Sequence, residues 1–245
     1  MTTQLPASFL PEKFRILSGS VLKLIAIILM LIDHTGLMIL YNYPATTATL
    51  FHFGGIDYSW YRIFRDIGRA AFPIFCFLLV EGFIHTHDVK KYAQRLFLFA
   101  LISEIPFDFA LKPRWFYPGK QNVYFTLLIG LLVLWGVAVC NGQLVIQLLI
   151  LVSGLLAASF LQTDYSFKGV FLIEVLYIFR SSRLYQCLCG AAAISWEIPA
   201  PAAFLPVFFY NGKRGISLKY FFYWFYPVHL VLLGIITKFV LPLFR

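Results

Sequence analysis

Charge is scarce in this chain. Only 13% of its 245 residues are Asp, Glu, Lys or Arg, about half the share usual in soluble domains, and no stretch is polar enough to form a separate soluble domain. There are four cysteines, Cys76, Cys140, Cys187 and Cys189, all in or at the ends of apolar segments. Cys187-Leu188-Cys189 has no second ligand pair at a useful spacing, so neither a disulfide framework nor a metal site is expected. The cysteines read instead as small buried hydrophobes. No internal repeat is apparent. A cleavage site of the secretory kind is also missing: the polar opening MTTQLPASFLPEKFR leads into an apolar run too long for a signal h-region, which is expected to remain as the first span.

Apolar and aromatic surface is abundant. Hydrophobic residues make up 60% of the chain, with 27 Phe and 14 Tyr and a mean hydropathy of +0.80. A soluble domain of this size has too little interior to bury so much. The sequence therefore predicts an all-α, polytopic integral membrane protein, a single domain over residues 1–245 that opens with a short polar segment at 1–19. Spans are expected at 20–41, 69–86, 92–111, 122–140, 144–161, 168–180, 184–209 and 220–243. SWEIPAPAAFLP, with three prolines and a glutamate, divides the seventh into two short helices, giving about eight to ten membrane elements. The longest loop, YNYPATTATLFHFGGIDYSWYRIFRDIG, has the aromatics of a segment lying at headgroup level.

The formal net charge of +9 does not indicate nucleic-acid binding, because the basic residues form short clusters between spans, as topology signals do. With a cytoplasmic N-terminus, Lys13, Arg15, Lys90, Lys91, Arg180, Arg183, Lys213, Arg214 and Lys219 fall inside. Arg62, Arg65, Lys112, Arg114 and Lys120 then fall on the other face. A bacterial inner membrane is the expected location, with membrane lipids as partners and homo-oligomerisation left open.

An Asp, Lys or Arg at the centre of a span costs roughly 2.5 to 3.5 kcal/mol on the insertion scale, so ionisable groups there need a partner, a wet cavity or a function. This sequence places Asp33 and His34 in the first span, Arg69 and Glu81 in the second, Glu104 and Asp108 in the third, Glu174 in the sixth and His229 in the last. Mutual pairing, Arg69 with Glu104 for example, accounts for some of them. Two histidines go beyond that need, since imidazole is suited to proton transfer near neutral pH.

Lys23 and His34 are eleven residues apart, about 16.5 Å along an α-helix and nearly on the same face. A cation near the membrane surface and a proton acceptor well inside suit a long ligand with an anionic head and a reactive tail. Acetyl-coenzyme A has that shape.

LKLIAIILMLIDHTG at 22–36, IGRAAFPIFCFLLVEGFIHT at 67–86, KYAQRLFLFALISEIPFDFAL at 91–111, NVYFTLLIGLL at 122–132, DYSFKGV at 164–170 and FYPVHL at 225–230 resemble the TraX family, in the family's order. TraX proteins are named for a conjugative-plasmid member that acetylates the N-terminus of pilin. They are similar to a wider group of transmembrane acyltransferases that includes acyltransferase family three and heparan-alpha-glucosaminide N-acetyltransferase. The resemblance implies acetyl transfer with His34 as the catalytic residue and Lys23 toward the coenzyme, although lysine stands where arginine is common and forgoes its bidentate phosphate contact.

On this reading Asp33, Glu81 and Glu104 join His34 as catalytic candidates, with Glu81, Glu104 or Asp108 orienting the imidazole. Lys23, Arg69, Arg95, Asn122 and Thr126 are candidates for holding acetyl-CoA, Asn122 and Thr126 as oxyanion donors or as interhelical glue. Asp164, Tyr165, Tyr226 and His229 are further site candidates, Asp164 as a helix cap and His229 where Pro227 would interrupt its helix. The acceptor is a peptide or pilin N-terminus, an amino sugar or a glycan hydroxyl. The rival class is a proton-coupled transporter or a structural component of a conjugation or secretion apparatus.

Overall fold

The computed structural model describes residues 11–112 and 115–244, so Arg114 and the first ten residues of the polar opening lie outside it. In chain order the elements are α1 (Gly19–Met38), α2 (Pro44–Thr47), a hairpin of β1 (Phe51–Phe53) and β2 (Ile56–Tyr58), α3 (Trp60–Gly68), α4 (Ala71–His85), α5 (Val89–Leu111), α6 (Val123–Val139), α7 (Leu144–Phe160), α8 (Ser166–Ile178), α9 (Arg183–Ala193), α10 (Phe204–Phe208) and α11 (Lys219–Ile235), the last running into a π-helical turn at Ile236–Val240. The fold is all-α, as expected. Three continuous stretches, Gly19–Asn42, Trp60–His85 and Tyr220–Leu243, are long and apolar enough to cross a membrane, and α6 and α7 are shorter apolar helices. The chain is a membrane protein.

α4 lies at the centre, packed against α1, α6, α8 and α10, and from Ala71 to Val80 every residue but Phe75 is buried. α7 is peripheral. It buries Gly154 and Ala158 and turns Leu148, Leu149, Val152, Leu156 and Phe160 outward, as a lipid-facing helix does. The seventh expected span is indeed two short helices, α9 and α10, joined through Pro199 and Pro201, whose missing N–H groups cannot continue an α-helical ladder. The long loop folds as α2, the hairpin and α3. Gly54 and Gly55 form the hairpin turn at φ +59° and +77°, where side chains are disfavoured.

The loop before α11 anchors the helix that bears His34. At its start, the N–H groups of Gly19 and Ser20, which have no partner within the helix, donate to the carbonyls of Lys213 (2.8 Å) and Arg214 (2.9 Å). On the opposite face the α5–α6 and α7–α8 connections are tied by Gln121 N–H to Gln162 O at 3.2 Å and Asp164 N–H to Gln121 O at 2.8 Å. Asp164 therefore does not cap α8. Its carboxylate pairs with Lys120 at 2.8 Å, and Tyr165 occupies the cap position.

Pro227 does not interrupt α11. It removes the N–H that would reach Tyr223 O, and that carbonyl instead accepts the Tyr124 hydroxyl at 3.1 Å.

α1 and α3 meet at small residues. A Cβ on Gly68 would stand 2.6 Å from the Asp33 Cα, and one on Gly36 would stand 2.8 Å from the Phe64 Cβ. Gly68→Val must therefore push α3 away from the backbone that presents Asp33 and His34. Overpacking of this kind typically costs about 1–3 kcal/mol, so thermal unfolding in detergent should show Gly68→Val melting several degrees below wild type.

Candidate functional site

Two cavities enter the bundle from opposite faces. The larger, about 780 Å³, is lined by Asp33 and His34 of α1, Arg65 of α3, Arg69, Phe72 and Phe75 at α4, Lys112 and Lys120 beyond α5, the Asp164–Lys168 segment, Trp196, Glu197 and Tyr226. The smaller, about 420 Å³, gathers Lys23 at the start of α1, Glu81 and His85 at the end of α4, Tyr92 and Arg95 of α5, Tyr124, Tyr210, Arg214, Phe222 and Tyr223. Among the described residues Phe75 alone lines both. Its exposed surface, unusual in α4, therefore faces the two chambers, and Tyr124 and Tyr226, edge to face at 5.2 Å, extend the partition.

His34 sits in the larger chamber beside this partition, and its partner is His229. His34 Nδ1 lies 2.7 Å from His229 Nε2, and His229 Nδ1 lies 2.8 Å from the Phe225 carbonyl oxygen. A carbonyl can only accept, so the proton of His229 is on Nδ1 and a neutral His229 offers Nε2 as an acceptor. His34 Nδ1 must then be the donor, which leaves His34 Nε2 with a free lone pair. His34 lines the cavity and His229 does not, so His34 is the member of the pair that the cavity reaches. The Phe225 ring stacks on His229 at 5.0 Å, and His229 is buried.

No described carboxylate hydrogen-bonds His34. Asp33 accepts from Arg65, tying α1 to α3, and Glu81 pairs with Arg183 at 3.3 Å, tying α4 to α9. The expected Arg69–Glu104 pair does not form either: Arg69 meets Glu197 in the larger chamber. Glu104 accepts from the Asn122 side chain and from Asn122 N–H at 3.2 Å, and Asp108 accepts Tyr117 N–H at 2.6 Å. Both brace the α5–α6 connection and line neither cavity. The sequence overlooks this because a Glu or Asp four residues along a helix shows that it needs a partner without showing which neighbouring helix provides it.

Asn122 and Thr126 are also committed elsewhere. The Asn122 amide donates to Ala100 O at 2.8 Å and its carbonyl caps α6 on Tyr124 N–H at 3.0 Å, while Thr126 donates to the Asp164 carbonyl. They are interhelical glue, not oxyanion donors. Of the expected donor-holding residues, Lys23 and Arg95 share the smaller chamber, and Arg69 belongs to the larger.

Tyr165 and Tyr226 line the larger chamber, Tyr165 stacked on Phe72 at 3.6 Å. Arg65, one helical turn before Arg69, and Glu197, whose sequence signal is only that of a helix-breaking segment, also line this chamber. Phe75 had no signal at all among 27 phenylalanines.

The chambers differ in charge. In the larger, Asp33, Asp164 and Glu197 each have a cation partner, while Lys168 lies over the Trp196 ring at 4.3 Å and Lys112 over Tyr117 at 5.1 Å. No described carboxylate pairs with either lysine. In the smaller, Lys23, Arg95 and Arg214 face one carboxylate, Glu81, already engaged by Arg183. The Arg95 Nε is buried with no hydrogen-bond partner among the described residues, so it can donate to an acceptor such as a phosphate oxygen.

Residues 18–237 match the TraX family, described as TraX protein. The chain is also 31% identical over 243 residues, spanning 86% of this chain and 92% of the relative, to the probable fimbrial assembly protein FimC, serogroup H1, of Dichelobacter nodosus. No solved structure matches the chain.

The tautomer assignment is open to direct observation. In ¹⁵N-histidine NMR of the detergent-solubilised protein above neutral pH, His34 should show a protonated Nδ1 and an unprotonated Nε2. His229→Ala should release that preference. A wild-type His34 protonated at Nε2 would contradict the hydrogen-bond direction.

Proposed function

The chain belongs to the TraX family, and on that premise we propose that it transfers an acetyl group from acetyl-CoA, held in the smaller chamber, to an acceptor nucleophile in the larger one. The single observation that supports this best is the placement of His34: a lone-pair nitrogen against the partition between an anion-seeking chamber and a second chamber of opposite access. Lys23, Arg95 and Arg214 would hold the phosphates. Tyr92, Phe222 and Tyr223 offer ring faces to the nucleotide. A pantetheine arm must then pass Phe75 to bring its thioester to His34, a distance matched by the about 16.5 Å between Lys23 and His34 along α1.

His34 Nε2 takes the proton of the acceptor amine or hydroxyl as that group attacks the thioester carbonyl. The resulting imidazolium donates Nδ1–H to His229 Nε2, so His229 positions the ring as the third member of a catalytic triad would. Lys112 and Lys168, the larger chamber's surplus cations, set a positive field in it that favours the oxyanion. Collapse of the tetrahedral species breaks the C–S bond, and His34 returns its proton to the departing thiolate. Surplus cations in the larger chamber also favour the uncharged, nucleophilic form of an amine.

Lys90, Lys91, Arg180, Lys213 and Arg214 crowd the face of the smaller chamber, which suits the cytoplasm of a bacterial inner membrane, where the donor is made. The name of the Dichelobacter relative favours a fimbrial or pilin-like peptide amine as acceptor over a glycan hydroxyl. Two chambers divided by a thin aromatic partition are also the geometry of a carrier, and this gives the transporter reading its support. A carrier has no need of coenzyme A.

Calorimetry and transfer assays on the purified protein separate these readings. Wild type should bind acetyl-CoA saturably, and Arg95→Gln should weaken binding about tenfold, the value of one charge-assisted hydrogen bond. His34→Ala should bind the donor as wild type does and lose transfer by about 10²–10⁴-fold. Folded wild type that binds no acetyl-CoA would favour the carrier, and full transfer by His34→Ala would remove the mechanism.

A further inference from the structure

Glu174 takes no part in either chamber. It lies in α8, one turn before the helix ends, with 4% of its surface exposed, and its Oε1 is buried with no hydrogen-bond partner. No described residue pairs with its carboxylate. A carboxyl group stranded in a membrane span calls for a ligand or a function, and a third cavity, about 420 Å³, opens beside it between α6, α7 and α8. This cavity shares no lining residue with the other two.

The rim of the cavity is polar. Asn141 lies in the α6–α7 turn, Gln147 begins α7, and Arg180 follows the end of α8. The guanidinium of Arg180 lies over the Tyr177 ring at 3.8 Å and donates one hydrogen bond to the Tyr177 carbonyl at 2.7 Å. Its other donors have no carboxylate partner among the described residues. α6 and α8 both run opposite to α1, and Arg183 just beyond α8 reaches Glu81 of the Lys23 chamber, so these helix ends lie on the face of Lys23. The cavity thus has a buried carboxyl group on its floor and a cationic rim at the aqueous boundary, with Glu174 and Arg180 six positions apart, about 9 Å at helical rise.

We propose that this cavity binds a ligand bearing a primary ammonium group next to a phosphate, the phosphoethanolamine moiety being the simplest. The ammonium would give Glu174 the donors it lacks, and the phosphate would take the unspent N–H groups of Arg180. A cation can donate a hydrogen bond to a carboxylate only if it carries N–H groups, so a quaternary ammonium should be a poor substitute. The same chemistry is available from an aminophospholipid headgroup in the bilayer and from a soluble phosphoethanolamine, and the site is independent of the acyl-transfer reading.

The test is thermal unfolding of the full chain in vesicles of phosphatidylglycerol alone, after adding phosphatidylethanolamine to the bilayer or free O-phosphoethanolamine to the buffer. Phosphatidylcholine and inorganic phosphate are the controls. Wild type should gain about 5 °C at saturation in at least one of the two arms and little with either control. A gain with the lipid alone identifies the bilayer as the source, and a gain with the soluble compound identifies the free molecule. Glu174→Gln and Arg180→Gln, measured separately so that one unstable variant does not decide the matter, should each lose most of the gain. No gain in either arm, an equal gain with phosphatidylcholine, or an undiminished gain in both variants would overturn the proposal.

Discussion

An ion in hydrocarbon must find its counter-ion or a hydrogen-bond partner, and the arrangement of this bundle follows from that requirement. Asp33 with Arg65 joins α1 to α3, Glu81 with Arg183 joins α4 to α9, Arg69 with Glu197 draws the broken seventh span toward α4, and Lys120 with Asp164 closes two loops on one face. Side-chain packing alone discriminates weakly among apolar helices in lipid, because the lipid is as apolar as they are. Charged pairs and glycine contacts supply the discrimination. His34 can present an unpaired nitrogen because the charged residues nearest it are satisfied by one another.

Much of the architecture was legible in the sequence, because span length and hydropathy are local properties. α1, α5, α6 and α7 fall within a few residues of their expected limits, and the proline-rich SWEIPAPAAFLP segment announced its own break. The pairing of charged groups was not legible, since it depends on which helices are neighbours, and neighbours are set by packing across the bundle. Arg69 illustrates this: the sequence offers Glu104 as a candidate partner, and the fold brings Glu197 from more than a hundred residues away.

The site divides in the same manner. Lys23 and His34 stand on one helix, so their spacing could be read directly. His229 was noticed as a histidine in a membrane span, but its contact with His34 is a tertiary fact. Asn122 and Thr126 had the right chemistry for oxyanion donors and proved to be fully engaged in capping and bridging. Phe75 was invisible because a partition has no chemical signature, only a position between two volumes.

The exchange at Pro227 has a mechanical consequence. Most transmembrane helices are stiffened by an unbroken series of main-chain rungs, but at this level α11 has replaced one rung with a phenol hydroxyl borrowed from α6. Bending there breaks a side-chain contact and leaves the remaining ladder intact, so α11 has a compliant joint two residues from His229. Flexure at that joint would swing one imidazole against the other, so the pose of α6 that holds Tyr124 bears on the spacing of the two histidines.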